Sequence, residues 1–132
     1  MSGTDARAAR DARAARNEEF RRARREVACE LREMRRIRRA LIEYDKKKDE
    51  RGVSDAGAEK NAQAARNRLS RLEARCRAWA RKLPESEREV FRRRVIKGES
   101  FGKIAAELFY KEESAKKIYT RALDFIAEKE NA

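Results

Sequence analysis

LPESEREVFRRRVIKGESFGKIAAELFYKEESAKKIYTRALDFIAEKE, residues 83–130, is the stretch that decides the fold. It divides into three helical patterns with two short interruptions. Pro84 suits a helix start, where its missing N–H does no harm, and Ser86 with Glu89 has capping-box spacing. Val90, Phe91 and Val95 give this first helix an apolar face, and Gly98 ends it. Ser100 then caps a short helix from Phe101 to Leu108, with Ile104, Ala105 and Leu108 facing inward. Ala105 falls where two helices cross and only a small side chain fits. Phe109–Tyr110–Lys111 forms the turn, and a last helix runs from Glu112 to about Lys129. Its buried stripe is Ala115, Ile118, Ala122 and Ile126, flanked by Tyr119 and Leu123. Short helix, tight turn and longer amphipathic helix make the helix-turn-helix layout.

Upstream the periodicity becomes that of long helices. Phe20, Val27, Met34 and Leu41 repeat every seven residues, with Ala23, Leu31, Ile37 and Tyr44 near the second seam position. This predicts one helix over about 17–48. Gly52 breaks it, and Ser54 or Asp55 caps the next. Ala58, Ala62, Ala65, Leu69, Leu72, Cys76, Trp79 and Leu83 then form an uninterrupted heptad seam, predicting a helix over 55–82. A short turn near Gly52–Val53 makes the two helices antiparallel neighbours. Facing residues then have numbers summing to about 105. Leu41 faces Ala65, Met34 and Ile37 flank Leu69, and Val27 meets Trp79. A lone hairpin buries too little to stand by itself. Ile42 and Ala80 lie outside its seam, which predicts a homodimer built through the hairpin.

Residues 6–16, ARAARDARAAR, are good helix formers with only methyl groups to bury. Residues 1–16 are therefore expected to be a disordered basic arm in preference to a frayed helical extension, since nothing large anchors them. The expected architecture is all-α: arm (1–16), hairpin (17–82) and C-terminal helix-turn-helix domain (83–132).

The 132-residue chain carries 36 basic and 24 acidic side chains, a net +12, and its isoelectric point is near 10.2. A polyanionic partner, most often nucleic acid, suits this balance. Residues 1–52 hold 17 basic and 11 acidic side chains, residues 53–82 hold 8 and 3, and residues 83–132 hold 11 and 10. The field comes from the first two regions. No apolar run is long enough to span a bilayer, and the N-terminus lacks the apolar core of a secretion signal. A cytoplasmic protein, in a bacterial host cell, with no membrane partner is expected.

Absences bound the chemistry. There is no His, and Cys29 and Cys76 are the only cysteines. Cys and His cannot supply the roughly four ligands of a zinc site, and a Cys nucleophile lacks its usual neighbouring base. No glycine-rich phosphate loop occurs. Glu18–Glu19 and Glu112–Glu113 lie among basic residues and read as salt-bridge partners. The chain is expected to be no enzyme, with no metal, no cofactor and no small-molecule substrate. Cys29 and Cys76 fall near one level of the hairpin, and cytosolic thiols stay reduced.

The C-terminal segment resembles region four of bacterial sigma factors, and more closely the sigma-like domains of small phage transcriptional regulators of the RinA and ArpU kind. The carriers are Leu83-Pro84, Glu87-Arg88-Glu89-Val90, Gly98-Glu99-Ser100-Phe101, Ile104-Ala105, Glu107-Leu108, Tyr110, Ile118 and Arg121-Ala122-Leu123. Phe109 stands where the turn usually has Gly or a small polar residue. Lys111 replaces the usual Ser cap, and Ala115 is smaller than the usual Val. The resemblance implies a DNA-reading last helix and control of late phage or prophage genes. RNA polymerase is a further partner to consider. The rival readings are a phage small terminase subunit on packaging DNA and a helical adaptor that binds polymerase or another protein.

With Ala115, Ile118 and Ala122 buried, the helix wheel turns Glu112, Glu113, Lys116, Lys117, Thr120 and Arg121 outward. Lys can reach guanine O6 and N7, Glu can accept from cytosine N4, and Thr can touch a thymine methyl. Ser100 and Lys103 suit phosphate contacts at a helix start, and Arg92, Arg93 and Arg94 can add more. The competing reading is a solvated face with ion pairs Glu112–Lys116 and Glu113–Lys117.

Overall fold

The computed structural model describes residues 3–52 and 55–130, and all regular structure among them is helical. Helix α1 spans Gly3–Arg51, α2 Ala56–Arg81, α3 Glu85–Phe91, α4 Phe101–Leu108 and α5 Glu112–Glu130, with a π-helical turn at Arg92–Ile96. Val53 and Ser54, where the turn centre and one candidate cap were expected, lie outside the described residues, as do residues 1–2 and 131–132. Asp55 takes the capping role, its carboxylate accepting the Gly57 N–H at 2.9 Å.

The first correction is at the start of α1. Residues 3–16 continue the helix and are not a disordered arm. They are exposed except for half-buried Ala6. Packing elsewhere in α1 supplies the nucleus, and each added Ala or Arg then extends the helix at little cost. Propagation from that nucleus outweighs the absence of large anchoring side chains. Gly52, at φ 68°, ends the helix, about one turn later than expected.

The contacts of α1 with α2 run in opposite senses. Glu30 pairs with Arg75 at 2.9 Å, Glu33 with Arg68 at 2.9 Å, and Tyr44 hydrogen-bonds Glu59 near the turn. Between them Val27, Leu31, Met34, Leu72, Cys76 and Trp79 are buried. The thiol of Cys76 lies 3.9 Å from the Met34 sulfur, and burial pushes its pKa up to about 11. Cys29 is exposed on another face, and both cysteines are free.

This core does not stop at the hairpin. Leu83, Phe91, Val95, Ala122, Leu123 and Ile126 belong to the same buried cluster. The Trp79 indole donates to Glu130 at 2.7 Å, and Arg24 pairs with Asp124 at 2.9 Å. The C-terminal segment thus covers the hairpin within one chain. Ala80, expected to be a flank residue available to a second copy, is buried there; Ile42 remains 69% exposed. Fully burying a side chain such as Phe91 or Leu83 is worth roughly 1.5–3 kcal/mol, so this shared core couples the two regions.

A second cluster holds the smaller helices together. Val90, Ile104, Ala105, Ala115 and Ile118 are buried, with Phe101, Leu108 and Tyr119 packed around them. The start of α3 differs from expectation. Pro84 precedes the first helical residue, and the Ser86 hydroxyl bonds the Glu87 side chain, so no capping box forms. Arg88 instead donates to the carbonyls of Ala80 and Leu83, satisfying the end of α2. Past Phe91 the chain widens into the π-turn, and Gly98 at φ 71° ends it. No described helix is long and apolar enough to cross a membrane.

Candidate nucleic-acid interface

Ser100 sits in extended backbone and its hydroxyl accepts the Lys103 N–H at 3.2 Å, which starts α4. Ile104 and Ala105 anchor that helix to α3 and α5. At its end Phe109 adopts φ 61° and ψ 37°, a left-handed conformation that Gly takes without cost and Phe does not. Its ring is 94% exposed. The turn is therefore held by backbone bonds: the Phe109 and Tyr110 N–H groups both reach the Ala105 carbonyl.

α5 then buries Ala115, Ile118, Ala122, Leu123, Ile126 and Ala127. Glu112, Glu113, Lys116, Lys117, Thr120 and Arg121 are all exposed. Lys116, Lys117, Thr120 and Arg121 share an open groove of about 700 Å³ with Tyr110 and Ser114. Along this face Lys116 pairs with Glu112 at 3.7 Å, and Arg121 with Glu87 of α3 at 3.7 Å. The Thr120 hydroxyl donates back to the Lys116 carbonyl at 3.1 Å. The pairing of Glu113 with Lys117 expected from spacing does not form. Among the described residues Lys117 makes no ion pair, so its ammonium needs no exchange of partner to meet an anion.

The phosphate candidates divide. Lys103 reaches Glu99 at 3.8 Å and Arg92 reaches Glu89 at 3.7 Å, both with half or more of the side chain exposed or nearly so (58% and 49%). Arg93 is only 19% exposed. Its guanidinium bonds Glu89 at 2.8 Å, lies 3.6 Å from Glu99 and bonds Glu107 of α4. The Arg93 hydrogen bond holds the Glu89 carboxyl below its usual range. Arg93 is placed to tie α3, the Gly98 loop and α4 together rather than to meet an outside phosphate.

Two positioning arginines, Arg38 and Arg24, escaped sequence reading, and a third, Arg94, was expected at phosphate but turns inward. Arg38 donates to the carbonyls of Val95 and Ile96 and to Glu73, fastening the end of the π-turn to both long helices. Arg94 donates to the Glu99 carbonyl at 3.1 Å and covers the Phe101 ring at 4.3 Å. Arg24 holds Asp124. Only Arg38 left a signal, as a charged residue in the buried spacing Val27, Leu31, Met34, Arg38, Leu41. Tyr119 fills the junction, 5.4 Å from the Phe101 ring and 6.5 Å from that of Phe91, and burial raises its phenol pKa.

What this surface can do is contact an extended polyanion. It offers donors and acceptors on an exposed helix face, backed by a buried opposite face. No family model, curated protein or solved structure matches the chain.

Proposed function

We propose that the protein is a sequence-specific, double-stranded DNA-binding regulator of transcription, with α5 as its reading helix. One observation carries this most. The residues that base recognition needs, Lys116, Lys117, Thr120 and Arg121, line one exposed groove of α5 while its opposite face is fully buried. A helix presented in this way fits the major groove. Lys103 and Arg92 then position the duplex through phosphates, which carry no sequence information. The resemblance to phage regulators adds the setting: late genes of a phage or prophage, in the bacterial cytoplasm. A homodimer on an inverted repeat is part of the same reading.

Selection from a random duplex library would first define the preferred site. Lys116→Ala and Lys117→Ala are then expected to weaken that site by about 1–3 kcal/mol while hardly changing binding to scrambled DNA. Arg92→Ala is expected to lower both together. Unchanged binding of the preferred site by folded Lys116→Ala and Lys117→Ala proteins would remove α5 as the reader.

A further inference from the structure

One flank of α1 carries arginines that close no ion pair among the described residues. Arg32, Arg35, Arg36 and Arg39 follow the spacing that gathers side chains on one side of a helix. All four are exposed and line one surface hollow. Among the described residues none of them makes an ion pair. Among the described residues Arg32 donates a hydrogen bond only to the neutral Cys29 sulfur, at 3.2 Å. The reason is geometric. The acidic residues of this stretch, Glu30 and Glu33, are turned to α2, where Arg75 and Arg68 take them. Like charges at these spacings work against the helix, and among the described residues no carboxylate closes an ion pair with them, although Glu33 acts on Arg36 through space.

The flank adjoins α5 and the loop that leads into α4. Arg24, further along α1, holds Asp124 at 2.9 Å. Arg35 lines a cleft of about 150 Å³ with Arg38, Arg94, Gly98 and Tyr119. In that cleft Arg38 and Arg94 are already spent on backbone carbonyls, whereas Arg35 is not. The shared core fixes flank and α5 in one body.

We propose that Arg32, Arg35, Arg36 and Arg39 form a phosphate-binding ridge that holds the backbone of the DNA duplex. This rests on the reading of the protein as a DNA binder. The charge pattern favours that partner. From Arg32 to Arg39 the helix rises about 10 Å, and over that length one DNA strand presents about three phosphates. Guanidinium binds phosphate bidentately and is only weakly hydrated. A row of such groups on a smooth flank supplies affinity without choosing a sequence.

The test is the salt dependence of duplex binding by the full chain, followed by fluorescence anisotropy between about 50 and about 200 mM salt. The ridge variant is R32Q/R35Q/R36Q/R39Q. The control, R71Q/R77Q/R81Q/K82Q, removes the same charge from exposed positions of α2 and its C-cap. Circular dichroism checks that both keep their helix. The ridge variant is expected to flatten the log–log slope by about 3, at roughly 0.9 per lost phosphate contact. Its preference for selected over scrambled DNA stays unchanged, and the control changes the slope by less than about 1. An unchanged slope in the ridge variant, or equal flattening in the control, overturns the ridge and leaves DNA binding standing. Absence of any duplex binding by the unaltered chain at the lowest salt overturns both readings. If the ridge variant loses binding while Lys116→Ala and Lys117→Ala alter it for no sequence, the ridge stands and α5 is not the reader.

Discussion

The arginine flank of α1 and the surface of residues 84–130 handle positive charge in opposite ways. Arg92, Arg93, Lys103, Lys116 and Arg121 each face a carboxylate, with Lys117 the exception on the α5 face. Arg32, Arg35, Arg36 and Arg39 face none among the described residues. Exposed pairs are worth only about 0–1 kcal/mol each, so the paired surface gains little stability from its pairing. What pairing does is fix where the side chains stand and cancel their long-range field. The flank does the reverse: it keeps its field and ties none of its side chains to a carboxylate. A surface that must discriminate benefits from the first arrangement, and one that must attract a polyanion benefits from the second.

The contrast in charge hides a common core, and the largest expected effect comes from attacking that core. Trp79 is 4% exposed, bonds Glu130 and lies under the Arg75 guanidinium at 5.2 Å. Trp79→Ala is expected to cost about 3–5 kcal/mol. Because Trp79 shares a cluster with Ala122, Leu123 and Ile126, both regions should lose stability together. Amide hydrogen exchange reads this residue by residue. Faster exchange in α1 with unchanged exchange at Ile104 and Ala105 of α4 would show two separable units and break the picture of one body.

Much of this was legible in the sequence because it depended on periodicity. The heptad seams gave α1 and α2 their buried faces, and 3.6-residue spacing gave α5 its buried stripe. Ser100 announced its cap, and Gly52 its left-handed helix end. The pairing of the regions was not legible. Residues 83–132 looked like a separate domain because local patterns do not say that Leu123 and Ile126 share one buried cluster with Val27 and Leu31. Ala80 looked spare for the same reason. Of the site, the α5 face could be read from the wheel alone. The inward turn of Arg93 could not, since it needs Glu89, Glu99 and Glu107 brought together from three elements. The flank was visible as four arginines, but its lack of partners followed only once Glu30 and Glu33 were seen to face α2.

A smaller effect is expected at the joint between the two regions. Arg38 is 24% exposed on its side chain and serves two backbone carbonyls and Glu73 at once. Arg38→Ala leaves those acceptors without their donor and is expected to cost about 1–3 kcal/mol. Arg38→Lys should recover only part of this, because a point ammonium cannot replace a planar fork of donors. Thermal unfolding measures the loss, and exchange at Lys97 and Glu99 should quicken before that at Val27. Equal exchange at all these sites would mean that Arg38 does not join the regions locally.

The smallest effect has the opposite sign and lies in the turn of the paired surface. Phe109 holds a left-handed conformation at φ 61° with its ring 94% exposed. An L-residue there costs roughly 1–2 kcal/mol, and so exposed a ring returns little through burial. Glycine removes the steric cost but gives the unfolded chain more freedom, which takes back about 0.5–1 kcal/mol. Phe109→Gly is therefore expected to stabilise the fold by about 0.5–1 kcal/mol. The midpoint of thermal unfolding should rise by about 2–4 °C. The N–H bonds to the Ala105 carbonyl survive the change, since they come from the backbone. Phe109→Ala separates the causes: it removes the ring but keeps the Cβ, so it should give none of the gain. A rise shared by both variants would assign the effect to the exposed ring. A fall in Phe109→Gly alone would mean that the turn is not strained, and that the bulky side chain holds α4 and α5 at their angle.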